Sequence, residues 1–149
     1  MELILSQEND IEELSTWFKS KDEVKNWAGP TVHFPFTFDE FKKDIGWNII
    51  TSYSFFQDKE LIGFIQLFDK FGSANIGRVA IKPNKRSMGF GVKLMESFFK
   101  QNINLSQEYS LFVYKDNITA INLYKKLGFK ISSSSTKYED ENNCFFMKK

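Results

Sequence analysis

Lys85-Arg86-Ser87-Met88-Gly89-Phe90-Gly91 stands between a strand-like run that stops near Pro83 and a helical run. The helical run carries Val92, Met95 and Phe99 on one face, with Leu94 and Phe98 beside it. A loop of this kind can aim successive backbone N–H groups outward. Its glycines let an anion approach the backbone, and the helix start adds partial positive charge. Lys82, Lys85 and Arg86 supply further charge nearby. The chemistry implied is binding of a phosphate or pyrophosphate; the alternative is a basic loop whose glycines serve only tight packing. Two other phosphate motifs do not fit. A dinucleotide fingerprint needs a third small residue where Leu94 stands. A nucleotide P-loop needs Gly-Lys-Ser/Thr after a four-residue gap, and the chain has no such run.

Upstream of this loop the period changes. Tyr53 to Gln57 and Leu61 to Phe68 read as strands joined by Asp58-Lys59. Asn75 to Ile81 is a third strand, reached through Phe71-Gly72-Ser73, and the three form an antiparallel meander. Earlier still, Leu3 to Leu5 is a short strand. Asn9 or Asp10 caps a helix running to about Phe18, with Ile11, Leu14 and Trp17 or Phe18 on one face. Lys21 to Trp27 is a further helical piece, broken by Gly29-Pro30. Thr37 or Asp39 starts a helix with Phe38, Phe41, Ile45 and Ile49 at helical spacing.

Downstream, a helix runs from Met88 to about Asn102 and a strand from Tyr109 to Val113. Asn117 to Leu127 is helical, closed by Gly128 in the left-handed region. Phe129 to Ser135 and Cys144 to Met147 are strands joined by the polar turn Glu139 to Asn143; the run Ser132-Ser133-Ser134-Ser135 reads as exposed strand. The fold class is α+β with a mixed sheet, in a single domain over 1–149.

Composition limits the partners. The 149 residues are 42% hydrophobic and 26% charged, which excludes wholesale disorder. Twenty Lys and Arg face 19 Asp and Glu, so no basic excess marks a nucleic-acid binder. Cys144 is the one cysteine, which excludes an internal disulfide and fits a reduced compartment. The N-terminal residues lack a signal-peptide pattern, and no apolar run approaches a membrane span. The expectation is a cytoplasmic protein with no nucleic-acid or membrane partner and no metal, as a monomer or homodimer. Seventeen of the aromatics are Phe, which has no polar tip and belongs in a core or a pocket wall.

A second motif settles the reading. Asn117-Ile118-Thr119-Ala120-Ile121-Asn122-Leu123-Tyr124-Lys125-Lys126-Leu127-Gly128-Phe129 follows a strand and ends at a helix stop. With Arg86-x-x-Gly89-x-Gly91 and Ile81-x-Pro83 before it, in this order and spacing, the chain resembles the GNAT superfamily of acetyl-CoA-dependent N-acetyltransferases. The resemblance implies a mostly antiparallel sheet of about seven strands with about four flanking helices. It implies acetyl-CoA as co-substrate. Arg86, Ser87, Met88, Gly89, Phe90 and Gly91 would hold the pyrophosphate. Backbone groups of Val79, Ala80 and Ile81 would bond the pantetheine arm, with Asn117 beside it. Tyr124 would protonate the leaving thiolate, and a strand N–H near Val79 would stabilise the oxyanion.

The general base departs from the family's pattern. Asn75 and Phe112 stand where some relatives carry a Glu, and neither accepts a proton at neutral pH. A water chain, Glu60 or Asp69 could serve instead. Arg78 reads as part of an exposed strand face shared with Ile76 and Ala80, or as a contact to an anionic substrate. The acceptor wall is expected in Trp27 to Phe36, with Trp27, His33 and Phe34 as substrate-binding candidates and Tyr53 a further one. Cys144 reads as a small buried hydrophobe. The leading expectation is acetylation of a primary amine on a small molecule. The alternatives are a peptide amine acceptor, at a protein N-terminus or lysine, and a non-catalytic CoA-binding module.

Overall fold

The computed structural model describes residues 1–70, 73–106, 108–133 and 140–149. The expected turn at Phe71-Gly72, the serines at 134 and 135 and the turn residue Glu139 lie outside the described residues. Among the described residues, seven strands form one sheet in the order β1-β2-β3-β4-β5-β7-β6. They are β1 Glu2–Leu5, β2 Thr51–Gln57, β3 Glu60–Lys70, β4 Ser73–Ile81, β5 Tyr109–Tyr114, β6 Lys130–Ser132 and β7 Cys144–Lys148. Every neighbouring pair is antiparallel except β4 with β5. Asp58 and Lys59 turn β2 into β3 with φ of 48° and 67°, the left-handed pair that a two-residue hairpin turn favours.

Five helices flank the sheet among the described residues: α1 Glu8–Ser15, α2 Lys21–Ala28, α3 Phe38–Asp44, α4 Phe90–Gln101 and α5 Ile118–Lys126. Several boundaries differ from expectation for local reasons. The cap of α1 is Gln7, not Asn9 or Asp10; its N–H donates to the Asp10 carboxylate at 2.8 Å. Ser20 caps α2 by accepting from the Glu23 N–H. Thr37 caps α3, which stops at Asp44 because Gly46 and Asn48 turn left-handed, φ 69° and 67°. Ile49 therefore leaves the helical face and stands 88% exposed. α4 starts at Phe90, two residues later than expected, because Gly89 at φ 81° is its N-cap.

Each sheet face buries its own apolar cluster. α4 and α5 pack with Phe55, Ile62, Ile65, Ile76, Leu111 and Phe129 on one face. α1, α2 and α3 pack with Phe64 and Ala80 on the other, through Ile11, Leu14, Val24, Phe41 and Ile45. Phe41, Phe55, Phe64, Phe98 and Phe129 are among the largest fully buried side chains. That accounts for much of the phenylalanine excess, since each such ring contributes on the order of 2–3 kcal/mol of burial.

One irregularity positions the site. β4 has nine residues but pairs with β5 only over Ala74, Asn75 and Ile76. Beyond Ile76 the two parallel strands separate. On its other edge β4 carries a bulge against β3: Gln66 faces Gly77 and Phe64 faces Ala80, so Ile65 opposes both Arg78 and Val79. Arg78 takes φ 52° there.

Candidate active site

The gap between β4 and β5 opens into a cavity of about 880 Å³. Val79, Ala80 and Ile81 line one wall; Phe112, Val113 and Tyr114 line the facing strand. Because 77–81 have no strand partner on this side among the described residues, their backbone groups on that edge are available to a ligand, apart from the Ile81 carbonyl, which accepts from Arg86. Arg86, Ser87, Gly89, Phe90 and Gly91 line one end. Met88 does not; it is 60% exposed, because the left-handed residues at 87 and 89 turn it outward.

That end has the make-up of an anion cradle. Ser87 and Gly89 are both left-handed, φ 61° and 81°. No side chain caps the N-terminus of α4, so its first N–H groups keep no intrahelical partner. A Cβ on Gly89 would meet nothing within 4 Å, so the space over the loop is open. Gly91 has another purpose: a Cβ there would approach Leu123 at 3.2 Å, which brings α4 close against α5. The charge inventory needs correction. Lys82 pairs with Glu13 and Glu60, both at 3.0 Å, and Lys85 pairs with Glu60 at 2.9 Å. Hydrogen bonds from Lys85 and Lys82 hold the Glu60 carboxyl below its ordinary pKa. The bonds to Glu13 and Glu60 raise that of Lys82. These lysines tie the loop to α1 and β3. Arg86 donates from Nε to the Ile81 carbonyl at 3.1 Å, joining the loop to the open edge.

Asn117 and Tyr124 both line the cavity. Asn117 caps α5, its Oδ1 accepting from the Ala120 N–H at 3.3 Å, which leaves its amide N–H groups as donors. Tyr124 is 8% exposed and packs against Phe129. Burial alone pushes its phenol up to about 12, so it keeps its proton throughout the neutral range. Cys144 also lines the cavity, and burial is the first cause pushing its thiol up to about 11. A neutral thiol there is no nucleophile.

The other end is built by the segment before α2, α2 itself, the segment after it and the end of α3: Phe18, Glu23, Asn26, Trp27, Thr31 and Asp44, with Ile50, Phe68 and Arg78. Trp27 stacks on Phe18 at 4.3 Å and on Phe41 at 5.9 Å. His33, Phe34 and Tyr53 are not brought to this wall. His33 points outward and pairs through Nδ1 with Asp44 Oδ2 at 3.0 Å. Phe34 packs edge-on against Phe36. Tyr53 lies on the face of α4, against Phe98, and donates to Asn102 Oδ1. Thr31 lies within the expected stretch Trp27 to Phe36; Glu23 and Phe68 were missed, and they meet Thr31 and Asp44 only because α2, α3 and β3 converge there.

Neither position that carries Glu in some relatives offers a base. Asn75 is buried and donates to Ser110 Oγ at 3.2 Å; Phe112 packs on Phe146. Glu60 and Asp69 do not line the cavity. Among the described residues, the carboxylates that do are Glu23, which accepts from the Lys19 N–H at 2.6 Å, and Asp44. Arg78 corrects its own reading as well. The bulge moves Ile76 to the α4 side and turns Arg78, half-buried, to the α3 side with Ala80.

The comparisons agree with this architecture. Residues 15–129 match the acetyltransferase (GNAT) family. The chain belongs to that family and is an N-acetyltransferase by membership. The aminoglycoside acetyltransferase AAC(6')-Ib, solved with coenzyme A and kanamycin, has a TM-score of 0.75 at 20% identity, covering 99% of this chain and 92% of that one. The spermidine N-acetyltransferase from Vibrio cholerae, in complex with CoA and spermine, gives 0.73 at 20% identity, covering 99% and 94%. A domain from Methanocaldococcus jannaschii gives 0.77 at 16%, covering 99% and 96%. At these identities the likeness shows the fold.

Proposed function

We propose that the chain transfers an acetyl group from acetyl-CoA directly to a primary amine of a small molecule. The observation that carries this reading is one cavity lined by three groups: an anion cradle, an open strand edge with a buried phenol, and aromatic residues of α2 and its neighbours. Acetyl-CoA supplies the acyl group as an activated thioester. The N–H groups from Arg86 to Gly91 hold its pyrophosphate. Backbone groups of Val79 to Ile81 and the Asn117 amide hold the pantetheine arm. An N–H near Val79 faces the carbonyl oxygen, where negative charge develops during attack. Tyr124 gives its proton to the departing sulfur as the C–S bond breaks and the C–N bond forms. The amine loses a proton to water or to a carboxylate at the aromatic end.

Two observations favour a small molecule over a peptide. The acceptor end is walled by α2, Thr31 and Asp44, and CoA-bound relatives of this fold carry names that specify aminoglycosides and spermidine. The test is acetyl-CoA-dependent thiol release with polyamines, amino acids, aminoglycosides and short peptides, for wild type and Tyr124→Phe. Turnover of one small-amine class, lost in the variant with CoA affinity kept, supports the reading. Binding of acetyl-CoA with turnover of peptides alone moves it to proteins. Binding with no turnover of any class favours a CoA-binding module.

A further inference from the structure

The bulge that opens the gap is tied from the α3 side by a hydrogen-bond network, buried at Gln66 and partly buried at Arg78. Arg78 Nη1 donates to the Ile45 carbonyl and to Gln66 Oε1, each at 2.8 Å, and Nη2 donates to Thr31 Oγ1 at 3.3 Å. Gln66, wholly buried on β3, returns Nε2 to the same Ile45 carbonyl at 3.0 Å and to Ser52 Oγ at 2.9 Å. Ser52 Oγ donates in turn to the Ile50 carbonyl at 3.0 Å. Ile45 is the residue that caps the C-terminus of α3, so its carbonyl is one the helix itself leaves unbonded. One guanidinium and one amide thereby connect β2, β3, β4, the end of α3 and the segment at Thr31. The guanidinium also lies 5.4 Å from the centre of the Phe68 ring.

The location gives the network its meaning. The last β4 residue paired to β5 is Ile76, and the open edge begins immediately after it. Arg78 is the second residue of that open edge, in a left-handed conformation that a residue with a Cβ seldom takes. Such a conformation persists where the surroundings fix it, and that is common at functional sites. Gly77 belongs to the same device: a Cβ there would come within 2.7 Å of Phe68 Cε2, so glycine lets the ring lie against the strand beneath Arg78. A bulge held only by its own backbone could slip back into regular register and pair further along β5.

We propose that Arg78 and Gln66 are positioning residues for acyl transfer. Their network holds the peptide between Arg78 and Val79 so that the Val79 N–H faces the thioester carbonyl. Arg78 thus acts through the backbone and not through contact with the acceptor. The inference rests on the acetyl-transfer reading above, and the experiment separates the two.

The test uses the full chain and acetyl-CoA labelled with carbon-13 at the thioester carbonyl. Binding is measured by titration calorimetry, and the carbonyl stretch of the bound ligand by infrared difference spectroscopy. In wild type the stretch falls below its value in water, as a donor aimed at the oxygen requires. In Arg78→Met and Gln66→Met at least half of that lowering is lost, while Kd for acetyl-CoA stays within about threefold, because the pyrophosphate cradle is untouched. If both variants keep the wild-type stretch, the inference is overturned. It is equally overturned if the stretch is kept and only the KM of the active amine rises, since Arg78 would then be an acceptor contact. Should Arg78→Met fail to fold, Gln66→Met, which nearly conserves volume, carries the test. Failure of wild type to bind acetyl-CoA at all would sink the acetyl-transfer reading instead.

Discussion

The two ends of the cavity are made in opposite ways. The cradle end comes from a continuous stretch, Arg86 to Gly91, set by dihedral angles that Ser87 and Gly89 take locally. The end proposed to take the acceptor comes from residues as far apart as Phe18 and Arg78, drawn mainly from α2, α3, β3 and β4. A local motif can be carried intact into any chain that needs it. An end assembled from four elements changes whenever one of them shifts. On the proposed reading, the difference teaches where specificity would be set: in the way α2 and α3 are seated over the open strands.

The seam between the two ends offers the sharpest break. Tyr124→Phe removes the proton donor and nothing else that packs, because the ring against Phe129 remains. A fall in kcat of about 100-fold or more is expected, the usual scale for a lost general acid, with the Kd for acetyl-CoA unchanged. A loss under about threefold would mean that water protonates the sulfur and that the seam is open.

The next break is confined to the cradle. Gly89→Ala forces a Cβ onto φ 81°, which costs about 1 kcal/mol or more in a loop otherwise free of contacts. Acetyl-CoA affinity should drop by about five- to tenfold, as that energy implies, while the amine KM at saturating acetyl-CoA stays put. An equal rise in the amine KM would show that the ends are not independent.

This contrast also explains what the sequence disclosed. Arg86-x-x-Gly89-x-Gly91 and Asn117 to Phe129 were legible because each is contiguous and closed by a glycine with a backbone duty; Gly128 takes φ 95°. The meander was legible from period and from Asp58-Lys59. Ile49 misled because an apolar residue at helical spacing says nothing of the left-handed turn at Gly46 that ends α3 first. Arg78 misled because alternation assumes a regular strand, and the bulge inverts the faces beyond it. His33 and Phe34 drew attention as residue types in an aromatic stretch, yet the wall is built by their neighbours Trp27 and Thr31. Lys82 and Lys85 counted as free charge only until Glu13 and Glu60, distant in sequence, were folded onto them.

A smaller effect is expected at the acceptor end. Trp27→Phe keeps an aromatic ring between Phe18 and Phe41 but shortens the wall. The KM of the active amine should rise by about two- to fivefold, the range for a modest loss of apolar contact, with Kd for acetyl-CoA unchanged. A drop in acetyl-CoA affinity would place Trp27 on the donor side and move the boundary between the ends.

The smallest effect reads how dry the seam is. Burial raises the Tyr124 phenol from 10.0 to about 12 in the folded protein. A folded-state value above the unfolded one means the native state holds the proton more tightly. The contribution is therefore complete below about pH 10 and is lost as pH rises towards 12, where the unfolded chain alone has already ionised. Denaturant midpoints of wild type and Tyr124→Phe should run parallel up to about pH 9.5. They should then diverge, with wild type falling faster because only it carries the buried Tyr124 phenol to ionise on unfolding, while Tyr109 and the other tyrosines contribute alike to both. Parallel curves through pH 11 would mean that the hydroxyl is hydrated in the native state. The donor and acceptor ends would then meet across water, and Tyr124 would have no advantage over solvent in protonating the thiolate.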